Sequence, residues 1–215
     1  MELNPLARAV STVALAATAF FTLAAFLQLP ADAVLAIHWN INGVADGFAG
    51  REALLFVPLT TVLVGGLLWL AVRYDPKRAN VARSADSLGL VVVALSLLVA
   101  VTQSAIINSG FGEAARLDHA VPVAAGALFA IFGYAMPNIR QNYTIGVRLP
   151  WTIESEAAWD ASHRFIGGMW ILVGVATAPI GSFGLRAAVT LTLVVGLPRS
   201  VGGTGSTISP PSLPT

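Results

Sequence analysis

Cysteine is absent from the 215 residues. Disulfides, thiolate nucleophiles and Cys-ligated metals are therefore excluded. Charge is scarce: only 11% of residues are Asp, Glu, Lys or Arg, against about 25% in an ordinary soluble domain. Lys and Arg number 12 against 11 Asp and Glu, so no excess of one sign points to nucleic acid. What is plentiful is apolar: 56% of residues are hydrophobic, more than a chain this small can hide inside a soluble core. Soluble enzyme, disordered protein and basic nucleic-acid binder are all excluded.

The gaps between charges outline the architecture. Uncharged stretches run from 9 to 31, 53 to 72, 87 to 112, 120 to 139 and 165 to 185. Each has the roughly 20 residues that a helix needs to cross a hydrocarbon core of about 30 Å. Backbone polar groups in lipid must be paired within the segment, so each is expected as a helix. A short sixth candidate runs from Ala187 to Leu197. The Gly-, Ser- and Pro-rich residues 199–215 read as a disordered tail. The predicted fold is an all-α polytopic helix bundle with five transmembrane helices and that sixth. Lys and Arg divide nine to three in favour of the side that holds the N-terminus, which makes that side cytoplasmic.

The spans carry almost no ionisable group, which weighs against an ion-coupled pump. No His-Glu-x-x-His motif is present, which weighs against an intramembrane metalloprotease. Gln103 is a candidate polar contact between helices. Gly126, Ala130 and Gly133 form a small-residue stripe on the fourth span, and Gly167, Gly174, Ala178 and Gly181 form another on the fifth. Such stripes allow close helix approach, so these two spans are expected to pack together.

Two polar segments exceed what a connecting loop needs. The outer one is His38-Trp39-Asn40-Ile41-Asn42-Gly43-Val44-Ala45-Asp46-Gly47-Phe48. Its Asn, Asp and Gly residues are turn formers. His38, Trp39, Asn40, Gly43 and Asp46 form a possible external ligand face; an interfacial turn anchored by aromatics is the plainer reading. The inner one runs from Met136 to Arg164. Thr152 reads as an N-cap, with Glu154 and Glu156 in the first turn of a helix continuing into the fifth span. On that helix Asp160 and Arg164 are spaced to pair, and Trp159, His163, Gly167 and Trp170 share one face. His163 is the most chemically versatile residue, as a proton-sensitive switch or a ligand contact. No second His lies on its side of the membrane, so neither a metal nor any other cofactor is expected.

The inner segment resembles the signature of the SdpI family of bacterial membrane proteins. The residues that carry the resemblance are Pro137, Asn142, Gly146, Arg148, Pro150, Trp151, Thr152, Glu156, Trp159, His163, Arg164 and Gly167. The pattern at His38, Trp39, Asn40, Gly43, Asp46 and Gly47 is similar to a small membrane domain of unknown function that often precedes SdpI. Tyr134 stands where the family usually has Asn, and the last span and tail look unlike it. The resemblance implies a two-helix membrane domain over 1–85, an SdpI-like domain over 86–198, and a multi-pass protein of the bacterial plasma membrane. It implies no enzymatic activity, but immunity to or sensing of a secreted toxic peptide outside the cell, with signalling to a cytosolic repressor inside. A small-molecule permease or membrane-embedded enzyme with its pocket at 137–164 is the alternative.

Overall fold

The computed structural model describes residues 3–40, 43–113 and 120–183. The sixth candidate span and the tail lie outside the described residues. The elements are helix α1 (Pro5–Gln28), strands β1 (Val34–Trp39) and β2 (Ala45–Gly50), a 3-10 turn (Arg51–Leu55), and helices α2 (Phe56–Arg73), α3 (Arg78–Arg83), α4 (Ala85–Gly110) and α5 (Ala120–Ala135). A second 3-10 turn (Met136–Asn138), the short helix α6 (Pro150–Glu154) and the long helix α7 (Glu156–Phe183) follow.

Three helical stretches are long and apolar enough to cross a membrane: Pro5–Gln28, Arg51–Arg73 and Ala85–Gly110. The fourth predicted span is shorter. α5 has 16 residues, about 24 Å of helix. α7 has 28 residues, but Glu156, Asp160, His163 and Arg164 occupy its first turns, and its apolar part starts at Phe165.

The packing follows membrane logic. α1 buries Ser11, Thr18, Thr22 and Ala25 while Phe20, Leu23 and Leu27 stay exposed. Small residues let the α1 and α4 backbones approach, and the large apolar ones face lipid. Ala7 packs against Gly89 of α4, where an added Cβ would lie 3.1 Å from its methyl group. Thr18 and Thr22 return their hydroxyls to the carbonyls of Ala14 and Thr18, at 2.8 and 2.7 Å, so neither leaves an unpaired donor in the bundle. α2 has no buried residue at all. A surface of Leu59, Val62, Leu63 and Leu67 is stable only in lipid, so this is an integral membrane protein.

The predicted stripes meet. A Cβ on Gly133 of α5 would lie 2.5 Å from the carbonyl oxygen of Gly167 on α7, and one on Gly174 would lie 2.5 Å from that of Gly126. The two backbones touch from the Gly126–Gly174 contact to the Gly133–Gly167 contact; the side-chain surroundings of Ala178 and Gly181 lie outside the described residues.

Two expectations are corrected. The all-α fold is interrupted by an antiparallel β-hairpin, with Val34 opposite Gly50 and Trp39 opposite Ala45. β-Branched and aromatic residues flank a loop that contains Gly43, which is the pattern of a hairpin with a longer loop. The helix from Thr152 into the fifth span is not continuous. Ser155, at φ −128° and ψ 121°, separates α6 from α7, and its hydroxyl accepts from the Ala158 N–H to cap the new helix. Thr152 is therefore not an N-cap. It sits in the first turn of α6, where its hydroxyl accepts the Leu149 N–H at 2.9 Å.

Candidate functional site

The two polar segments fold at opposite ends of α4. The hairpin is fastened to the C-terminal end: the Ala36 N–H donates to the Ser109 hydroxyl at 2.9 Å. Leu35 joins Ala25, Leu29, Leu54 and Ile106 in one apolar cluster, with Trp39 packed against it. Gln103 closes the polar side of this end. Its amide donates to the Thr22 hydroxyl and the Leu54 carbonyl, both at 2.9 Å, which makes it the expected contact between helices.

On the hairpin, His38 and Asp46 face each other across the strands, with Nδ1 and Oδ1 2.5 Å apart and both side chains substantially exposed. This is the one ion-pair geometry among the described residues. Gly47 lies opposite His38, where a Cβ would come within 2.8 Å of the His38 Cβ; only glycine lets the strands close here. Gly43 holds a positive φ of 72° in the turn, a conformation that costs glycine little. The Asn40 carbonyl accepts from Gly43, and the Asn40 side chain accepts from Val44. His38, Trp39, Asn40, Gly43 and Asp46 thus all lie on one small structure.

The inner segment wraps around the N-terminal end of α4 and α7. Its centre is a stacked pair: the Trp159 and His163 rings lie 4.0 Å apart at 19°, and both side chains are fully buried. Both imidazole nitrogens are engaged. The Val147 N–H donates to Nε2 at 3.2 Å, so Nε2 carries no proton, and Nδ1 donates to the Trp159 carbonyl at 2.8 Å. Backbone geometry therefore fixes the tautomer of a neutral ring. Burial holds the His163 pKa below its ordinary value, outweighing the opposite pull of its backbone bond and of Asp160. The Trp159 indole donates to the Ile139 carbonyl at 2.7 Å. Gly146 crosses this stack at φ +121°, where a Cβ would lie 2.5 Å from His163 Nε2. Both the φ angle and the contact demand glycine.

The polar side chains above the stack are spent on the loop itself. Asn142 donates to the carbonyls of Arg140 and Ile145 and accepts from the N–H groups of Thr144 and Ile145, all within 2.9 Å. Its amide is saturated. The Thr152 hydroxyl donates toward the Val147 and Leu149 carbonyls.

Residues outside the signature complete the platform. The Asp75 carboxylate accepts from the N–H groups of Lys77 and Tyr143 and from the Thr144 hydroxyl. Gln141 donates to the carbonyls of Thr152 and Ile153 and accepts from the Lys77 ammonium. Ser84 accepts the Arg140 N–H. Asp75-Pro76-Lys77, a turn sequence before α3, was the available signal for this half of the site.

The signature residues thus divide by environment. Asn142, Gly146, Thr152, Trp159 and His163 build the platform. Pro150 opens α6, and Arg148, Trp151 and Glu156 stand exposed on the surface. Arg148 donates to the Tyr143 carbonyl at 2.8 Å, and Trp151 is 58% exposed. Arg164 points elsewhere, into a cleft that also includes Asp160. The two line that cleft without forming the expected ion pair.

Residues 138–203 match the family described as SdpI/YfhL protein family, and residues 13–62 match a domain of unknown function, DUF1648. Along the chain, the match to SdpI lies behind the match to DUF1648. The SdpI segment begins within the inner platform. It continues through the short apolar stretch 187–197, so the match extends past the point where the sequence looked unlike the family. The DUF1648 segment takes in most of α1, the hairpin and the start of α2. The immunity protein SdpI of Bacillus subtilis (strain 168) is 23% identical over 147 residues, which are 68% of this chain and 69% of that protein. No solved structure matches the chain.

Proposed function

We propose that this chain is a multi-pass protein of the bacterial plasma membrane, N-terminus inside, that protects its cell from a secreted toxic peptide. The observation that carries this reading is the placement of two preformed polar structures at opposite ends of α4. That helix has 26 residues, about 39 Å, enough to set the two structures on opposite sides of a bilayer. The hairpin, with its exposed His38 and Asp46, is the outward face that meets the peptide. The platform is the cytosolic face, and its exposed Arg148, Trp151 and Glu156 are the surface for a repressor. An exposed Trp and an Arg whose guanidinium is held by a backbone carbonyl are residue types enriched in interface hot spots. Residues 1–85 carry the outer hairpin and also lend Asp75, Lys77 and Ser84 to the platform, residues 86–198 form the SdpI-like domain, and the α1–α4 contact and these bonds join the two. The similarity to an immunity protein supports the same reading.

A permease or enzyme with its pocket in the loop finds little support in the platform. Asn142, Gln141, Thr152 and His163 bond to the backbone of the loop and of the helices beneath it instead of aiming at a substrate. Arg148→Ala and Trp151→Ala should abolish protection while leaving expression and membrane insertion intact. Full protection by both well-expressed variants would remove the platform surface from the mechanism.

A further inference from the structure

A cleft of about 540 Å³ opens where α4 begins, α5 ends and α7 begins. Three guanidiniums line it, one from each side: Arg83 precedes α4, Arg140 follows α5, and Arg164 lies on α7. Among the described residues the Arg83 side chain bonds only to the neighbouring Asn80 side chain, at 3.3 Å. The Arg140 and Arg164 side chains have no hydrogen-bond or ion-pair partner among the described residues. Two carboxylates, Asp86 and Asp160, share the cleft, and neither is within ion-pair distance of an arginine. Three cations against two anions leave one net positive charge. The walls are not polar throughout: Leu90 and the largely exposed Tyr134 also line the cleft. Both lie at the ends of α4 and α5, where those helices become apolar.

We propose that this cleft binds the phosphodiester of an anionic membrane phospholipid. Guanidiniums match phosphate oxygens with paired N–H donors. Basic pockets between transmembrane helices on the cytoplasmic side are suited to anionic headgroups. A single net positive charge suits a monoanionic diester better than a phosphate dianion, which Asp86 and Asp160 repel. Leu90 and Tyr134 give the attached acyl chains an apolar exit toward the bilayer. The bound lipid ties together the starts of α4 and α7, so it fixes the helices on which the platform rests.

The test uses the full chain purified in nonionic detergent. Its thermal unfolding midpoint is followed during titration with dioctanoyl phosphatidylglycerol, dioctanoylglycerol, or sodium phosphate at matched ionic strength. Phosphatidylglycerol should raise the midpoint saturably, while dioctanoylglycerol and phosphate should not. R140Q/R164Q should raise the half-saturating concentration by about tenfold or more, the loss expected for charge-assisted hydrogen bonds. If that variant does not survive purification, R140K/R164K keeps the charge, loses the fork, and should still bind several-fold more weakly. Asp160→Asn should bind more tightly, and Arg73→Gln, outside the cleft, should match the parent. An equal response to dioctanoylglycerol would show that only the chains are recognised. Saturation by phosphate at the same concentration would show a free-anion site. Either result, or parent-like binding by the arginine variants, would overturn the proposal.

Discussion

His163 is held neutral by its surroundings, because one ring nitrogen must accept from Val147 and the other must donate to Trp159. Its lowered pKa means that the unfolded loop takes up a proton before the folded one does. The stability this residue contributes is therefore complete above about pH 6.5, the ordinary imidazole value. It falls as pH drops through that value toward the folded pKa. The protection factors of the amides from 142 to 152 should fall between about pH 7 and 5, and His163→Gln should flatten that dependence. Asn142 makes a second prediction. Its amide nitrogen faces two carbonyls, so Asn142→Asp sets a carboxylate against them and should cost about 1–3 kcal/mol, read as a lower unfolding midpoint. The sequence pointed to Trp159 and His163 through their shared helical face, and to Asn142 and Gly146 through the family resemblance. It did not distinguish the residues that build the platform from the exposed Arg148 and Trp151, because that division depends on how the loop folds back over α7. Asp75 and Gln141 went unseen because the bonds that bring them together, from Tyr143 and Thr144 to Asp75 and from Lys77 to Gln141, span more than sixty residues of the chain.

Among the elements, the helix positions were legible from the gaps between charges, and the α5–α7 contact from the small-residue stripes. The hairpin and the break at Ser155 were not. A run of six apolar and aromatic residues such as Val34–Trp39 is ambiguous by periodicity, and a break at Ser155 depends on α6 docking under the loop. The stripes give a sharp prediction. Gly133→Ala drives a methyl group into the Gly167 carbonyl and should destabilise the protein by about 1–3 kcal/mol through overpacking. Gly168→Ala, on the same helix as Gly167 but with nothing within 4 Å of the added Cβ, should be neutral or stabilising by up to about 1 kcal/mol. Thermal unfolding of the two variants in the same detergent compares them directly.

At the scale of the whole molecule, a natural chain without cysteine is a ready background for testing sidedness. Val44→Cys on the hairpin and Ala157→Cys at the start of α7 both replace exposed residues. In intact cells an impermeant maleimide should label the first and not the second; after permeabilisation it should label both. The reverse pattern would invert the assignment of outer and inner faces.

Protection by the platform surface is tested most directly in the native host. The parent strain, a strain lacking the gene, and that strain carrying either the wild-type gene or Arg148→Ala/Trp151→Ala are exposed to concentrated spent medium from the host and its close relatives. Survival and membrane potential are followed in each. The expected result is that the deletion strain depolarises and dies, the wild-type gene rescues it, and the double variant, expressed to the same level, does not. Equal survival of parent and deletion strain in medium that kills a sensitive indicator would contradict the immunity reading itself.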